Sequence, residues 1–154
     1  MLLYRLAAKF EKENIDYAVV GGMALNLHKI HRSTIDLDIV VRLSLANLTK
    51  TENAINQLGL TSRLPVGASD IYHFRQEYIK NRNLIAWSFT NLNSPIEVLD
   101  IIITHDLKNM KKENLKIAGH NIKVICIEDL IKMKSKSHRP QDIEDIKFLR
   151  ARIK

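Results

Sequence analysis

The chain carries one cysteine in 154 residues, so no internal disulfide can staple it. That residue, Cys126, lies in the apolar run Val124-Ile-Cys-Ile127 and reads as buried filler rather than as a reactive thiol. No apolar run approaches the ~18 residues of a membrane span, so no membrane role is expected. A signal peptide is not expected either: Leu2, Leu3, Leu6 and Phe10 recur with helical period, and acids follow soon after. There is no internal repeat, linker or low-complexity tract. His28 and His31 have no cysteine nearby, and only the first falls within a helix, which argues against a zinc site. These absences leave a cytoplasmic protein folded as one domain over 1–154. That length builds one real core, not two comfortable ones.

Of the residues present, 45% are hydrophobic, which excludes a disordered chain. The formal net charge is +7 and uneven: residues 1–77 hold 9 Lys/Arg against 8 Asp/Glu, and residues 78–154 hold 15 against 9. A basic C-terminal half suits an anionic partner such as nucleotide phosphate or RNA. Ordinary solvated lysines account for it equally well.

Periodicity places a helix over 1–14, a short buried strand over 17–20 and a second helix from about Gly22 to Lys29. A strand over 35–42 follows, then a helix over 45–58 that Gly59 ends. Residues 60–82 have no clear period. Strands are expected over 84–89 and 95–103, joined by the turn-rich Asn91-Leu-Asn-Ser-Pro95. A hairpin over 114–118 and 121–126 and two helices, 127–136 and 140–152, close the chain, with Pro140 suited to a first helical turn. Trp87 and Phe89 read as core. The pattern is one α/β (α+β) domain with a mixed sheet flanked by helices.

Residues 20–41 concentrate the chemistry. Gly21 and Gly22 end the strand Tyr17-Ala-Val-Val20, where glycine lets a phosphate approach the backbone and the N–H groups of the next helix. Asp36 and Asp38 then stand among Ile35, Leu37, Ile39, Val40 and Val41. In a regular strand the two acids share a face, with Cα atoms about 6.5–7 Å apart. Two such acids are costly unless a cation lies between them, and a hard divalent metal is the natural one.

The form Val-Gly-Gly-x-Ala-Leu-x-Leu-x(4)-Arg-x-Thr-x-Asp-Leu-Asp-Ile resembles the nucleotidyltransferase superfamily, the DNA polymerase β-like fold. Within it the chain is similar to the abortive-infection AbiEii-like enzymes and their small bacterial relatives. Glu128-Asp-Leu-Ile-Lys-Met-Lys134 and Arg139-Pro-Gln-Asp-Ile-Glu-Asp145 resemble that group's closing helices. The resemblance implies transfer of a nucleoside monophosphate from NTP to a hydroxyl acceptor, such as a tRNA 3′ end or a protein, with Mg²⁺ or Mn²⁺. It also implies a toxin–antitoxin or phage-defence setting with a partner toxin or antitoxin. The extra helical domain of full-length toxins is not expected in this shorter chain. The alternatives are a non-catalytic nucleotide-binding or antitoxin-like module on the same fold, and a basic RNA-binding domain.

Two-metal phosphoryl chemistry asks for a further acid on a neighbouring strand. Pro95-Ile-Glu-Val-Leu-Asp-Ile-Ile-Ile103 offers Glu97 and Asp100, which have opposite parity. Asp100 lies among apolar residues where an unpaired acid is expensive, and Asp-Ile-Ile resembles the family's third acid; Glu97 is the fallback. Arg32 and Thr34 fall in the family's Arg-x-Thr-x-Asp pattern. Arg32 either meets phosphate, braces the carboxylates or steadies the loop as an ion pair. Lys134 falls where the family has a lysine that can meet a triphosphate. Arg139, Asp142 and Asp145 read as a structural cluster, Asp142 being favourable near a helix N-terminus in its own right.

Overall fold

The computed structural model describes residues 1–137 and 139–153. Among them six α-helices and a short 3-10 turn at Leu107–Asn109 accompany one seven-stranded sheet. In chain order the α-helices and strands are α1 (Leu2–Lys12), β1 (Tyr17–Val20), α2 (Gly21–Leu27), β2 (Leu37–Val41), α3 (Leu45–Gln57), β3 (Thr61–Ser62) and α4 (Ala68–Arg82). Then come β4 (Ala86–Asn91), β5 (Ser94–Ile102), β6 (Lys112–Ile117), β7 (His120–Ile125), α5 (Ile127–Ser135) and α6 (Pro140–Arg152). No helix among the described residues is long and apolar enough to cross a membrane.

The sheet runs β3-β4-β5-β2-β1-β7-β6. The β1–β2, β3–β4, β4–β5 and β6–β7 pairs are antiparallel, whereas β2–β5 and β1–β7 are parallel. The central strands are the apolar ones. All four residues of β1 are buried, as are Leu37, Ile39, Val40 and Val41 of β2. Leu99 and Ile101 of β5 continue one layer, where Trp87 and Phe89 pack with their rings tilted by 52° and 4.7 Å between centroids, both fully buried. They are core, as their sequence setting indicates.

Turn and cap chemistry fixes the ends. The Ser44 side chain accepts from the Asn47 N–H at 3.2 Å and caps α3. The β6–β7 turn is Ala118–Gly119, both at positive φ, as a tight two-residue hairpin requires. Pro140 opens α6. Residues 60–82 resolve into short β3 and the 15-residue α4.

His28 uses Nε2 on the Ile125 carbonyl at 2.7 Å, a structural bond, while His31 is exposed. Burial pushes the Cys126 thiol up to about 11, and its S–H donates to Asp129 at 3.3 Å. A thiol so disposed is inert at neutral pH.

Candidate active site

Four residues on four adjacent strands form one row. Val20 stands opposite Asp38, Asp38 beside Asp100, and Asp100 opposite Ser88. Residues in register on neighbouring strands share a face, with strands about 4.8 Å apart. Asp38 and Asp100 are therefore side by side. The Ser88 hydroxyl donates to Asp100 Oδ1 at 2.5 Å. Asp38 is pushed up to about 6, first by burial, then by the charges of Asp100 and Asp36; Lys134 and Arg139 oppose the rise.

Asp36 differs from the expected arrangement. The strand begins at Leu37, not at residue 35, so Asp36 is exposed and outside the ladder. Its absence from the strand has a physical cause. The β1 ladder ends at Val20, because Gly21 turns the chain into α2 and leaves no β1 partner beyond Asp38; only Leu37 continues the strand, against Leu99 of β5. Asp36 is near enough to repel Asp38, but the loop places it, not the pleat.

Glu97 lies on the other side of the sheet. The β4–β5 register slips between Thr90 and Asn91, and Glu97 falls in the irregular stretch. It accepts from Arg5 of α1 at 2.8 Å and from Asn91 at 2.9 Å. Glu97→Gln should therefore loosen only the α1 contact, a surface ion pair worth about 0.2–1 kcal/mol, and leave the Asp38–Asp100 side of the sheet, with whatever metal or nucleotide it takes, within about twofold of wild type. Calorimetric titration with Mn²⁺ and ATP checks this; a loss matching that of Asp100→Asn would return Glu97 to the site.

Gly21 has φ +68°, and a Cβ built there would lie 2.5 Å from Asp38 Oδ2. Only glycine admits both that conformation and that approach. Gly22 is less tightly held: its Cβ would meet the Thr34 side chain at 3.2 Å.

A cavity of about 480 Å³ opens at the Val20–Asp38 end of this row, between the sheet and the last two helices. Val20, Gly21 and Asp38 lie at its sheet end, Ile85, Ile102, Leu130 and Met133 supply apolar wall, and Lys134 and Arg139 bring positive charge. Of the site residues expected from the sequence, Gly21, Asp38 and Lys134 line it, and so do Arg139 and Asp142, which the sequence marks as structural; Asp36, Asp100, Gly22, Arg32 and Thr34 do not. Thr34 lines a separate apolar groove with Met1, Met23 and Ile35.

Beside the cavity lies an ion cluster. Arg32 Nη1 donates to both oxygens of Asp145, at 3.0 and 3.1 Å. Lys134 Nζ is 3.1 Å from Asp145 and 3.5 Å from Asp142, and Arg139 Nε is 3.0 Å from Asp142. Ser137 also donates to Asp142. Asp142 and Asp145 are each 2% exposed, so these cations are what makes their burial tolerable. Arg32 is thus an ion pair that ties the loop before β2 to α6. In the sequence the two aspartates group with Arg139, and an ion pair is one of the readings of Arg32, but nothing there names Asp145 as the partner of Arg32 and Lys134. The available signal was the i, i+3 spacing of Asp142 and Asp145, which sets both acids on one helix face.

Among the described residues no three of His, Cys, Asp and Glu are grouped as a ready-made metal site. The donor chemistry nevertheless suits a hard divalent ion. Asp38 and Asp100 present oxygen only, they repel each other, and Mg²⁺ commonly takes one or two carboxylates and fills its shell with water and phosphate.

Residues 89–154 match a family model described as nucleotidyl transferase of unknown function (DUF2204). No curated protein matches the sequence. Solved structures share the fold across nearly the whole chain. An antigenic nucleotidyltransferase-like protein from Paracoccidioides brasiliensis superimposes with TM-score 0.59 at 20% identity, covering 96% of this chain and 73% of that one. The antibiotic-resistance factor ANT(2″)-Ia gives 0.63 at 14% identity over 99% and 83%. A candidate nucleotidyltransferase from Thermotoga maritima gives 0.63 at 13% over 95% and 88%. The fold is nucleotidyltransferase-like, a mixed sheet with flanking helices.

Proposed function

We propose that the chain is a metal-dependent nucleotidyltransferase that moves a nucleoside monophosphate from NTP, ATP included, onto a hydroxyl acceptor and releases pyrophosphate. The observation that carries this reading is the Asp38–Asp100 pair, in register on one face, with Asp38 pressed against Gly21 at the end of a cavity that Lys134 also lines. The family model and the fold neighbours support it. ANT(2″)-Ia has been solved with adenylyl-2″-tobramycin, the product of adenylyl transfer to a hydroxyl, although nothing in that likeness assigns an acceptor to this chain.

Asp38 and Asp100 would hold Mg²⁺ or Mn²⁺, with Asp36 swinging in from its loop as a third ligand. Bound there, the ion would neutralise phosphate charge and favour in-line displacement. The backbone at Gly21 and Gly22 would receive phosphate oxygens, which no side chain obstructs. Lys134 and Arg139 would meet the triphosphate charge from the helix side, and the apolar wall suits a nucleoside. Ser88 would orient Asp100, whose other oxygen accepts the acceptor's proton as the new P–O bond forms. Arg32 and Thr34 would act through the loop that carries Asp36. In the AbiEii-like setting the acceptor would be a tRNA 3′ end or a protein hydroxyl, with a cognate toxin or antitoxin partner.

Incubation with labelled NTPs, Mg²⁺ or Mn²⁺, and RNA, protein or small hydroxyl acceptors tests transfer directly. The loop position of Asp36 favours a second reading, a module that binds nucleotide without turnover. Mn-ATP binding with no transfer to any acceptor class would select it. Metal binding is tested separately. Mn²⁺ at about 100 times its dissociation constant should stabilise the chain by about 2.7 kcal/mol. The same rise in melting temperature in Asp36→Asn/Asp38→Asn would show that the ion binds elsewhere.

A further inference from the structure

We infer that Asp145 is a positioning residue, which holds the Lys134 ammonium at the cavity for the terminal phosphates of a nucleoside triphosphate. This rests on the nucleotide reading above and adds to it a residue that touches no ligand. The Asp145 carboxylate is buried in α6 and meets two cations from two other segments. Arg32 comes from the loop that leads to Asp36, and Lys134 from α5, where it lines the cavity. One cation would suffice to pair the carboxylate, and Arg32 already contacts both its oxygens. The second, Lys134, is the one that lines the cavity. Its side chain is 10% exposed, with the nitrogen 3.1 Å from Asp145 and 3.5 Å from Asp142.

A free lysine spreads its charge over many rotamers and loses that freedom on binding an anion. Here the ordering precedes the ligand, which strengthens binding by removing a cost of association. The charge balance points the same way. Arg32, Lys134 and Arg139 bring three positive charges to two carboxylates, so one positive charge is left over where Lys134 and Arg139 face the cavity. An isolated stabilising pair would leave none.

Asp145→Asn keeps shape and removes charge. The rate at which an amine-acylating reagent labels each lysine of the full chain, read by mass spectrometry, should rise roughly tenfold at Lys134, the scale of one lost charge-assisted bond. The other lysines should label as in wild type. Calorimetry should show Mn-ATP binding weakened by about the same factor and AMP binding within about twofold. In a Lys134→Met background Asp145→Asn should weaken ATP no further. Asp145→Glu keeps the charge, and with it the fold, but shifts the carboxylate by one methylene; it should speed Lys134 labelling several-fold. Unchanged Lys134 labelling in either folded variant overturns the proposal. So does an ATP loss that persists in full without Lys134. Wild type that binds no Mn-ATP would instead overturn the nucleotide reading, and the labelling rates would still decide whether Asp145 positions Lys134.

Discussion

Asp38→Asn should abolish nucleotidyl transfer and at the same time raise the melting temperature of the metal-free chain. The two effects share one cause. Asp38 is buried beside Asp100 and near Asp36, so its ionised form is disfavoured in the fold, and its pKa stands at about 6 against 3.8 for the free group. An acid with a raised folded pKa costs nothing below pH 3.8, where it is protonated in both states. The cost grows as pH rises from there to about 6 and is complete above it, at about 3 kcal/mol or less. Asparagine keeps the shape and never bears the charge. For a chain of this size the gain at pH 7.5 is of the order of 5 °C. At pH 4.5 the gap should shrink to about a third of that. Melts without divalent ions at both pH values read this, and an equal gap at both would mean that Asp38 is not the strained group. Transfer near the wild-type rate in the same variant would end the two-carboxylate reading.

How far the sequence reveals this structure depends on which residues are buried. Strand β1 appears at its observed limits, Tyr17–Val20, because Asp16 and Gly21 bound an unbroken apolar run that is buried on both faces. The closing helices are nearly as clear, with Pro140 opening α6. Helix α4 is not. Of its fifteen residues only Ala68 and Ile71 are buried, while Tyr72 and Phe74 are nearly half exposed. A helix that rests on so little core carries almost no apolar stripe to read. Strand β6 starts at Lys112, two residues before the apolar signal, because an edge strand is held by its ladder with β7 rather than by burial.

The site divides the same way. Gly21, Gly22, Asp36 and Asp38 are visible as a local pattern. That Asp100 stands beside Asp38 is a matter of parallel pairing between β2 and β5, which composition cannot supply; parity narrowed the choice to Asp100 or Glu97, and the irregular register at Asn91 decided where Glu97 went. The Arg32–Asp145–Lys134 cluster joins three segments distant in sequence. Each of its members stands out in its own segment, but that they meet one another appears only once α6 is packed.

Gly21→Ala should be the most damaging single change of a glycine in this chain. At φ +68° an alanine pays about 1 kcal/mol in backbone strain alone. Its Cβ would also lie 2.5 Å from Asp38 Oδ2 and 3.3 Å from Asp38 Cβ, and a carboxylate held in a strand cannot retreat as a surface lysine would. Either Asp38 leaves its rotamer or the turn opens. The expected loss is about 2–4 kcal/mol, with nucleotide and metal binding lost together because the displaced group is the proposed ligand. Gly22→Ala should cost far less, under about 1 kcal/mol, because its φ is ordinary and the Thr34 side chain can yield by a few tenths of an ångström. The comparison with Asp38→Ala separates strain from collision. That substitution removes Oδ2, so the double variant should be more stable than the sum of the two single changes predicts, by about 1 kcal/mol or more, as touching residues do. Chemical denaturation of the four proteins reads the coupling. Strict additivity would show that the damage is backbone strain alone and that Gly21 does not set the position of Asp38.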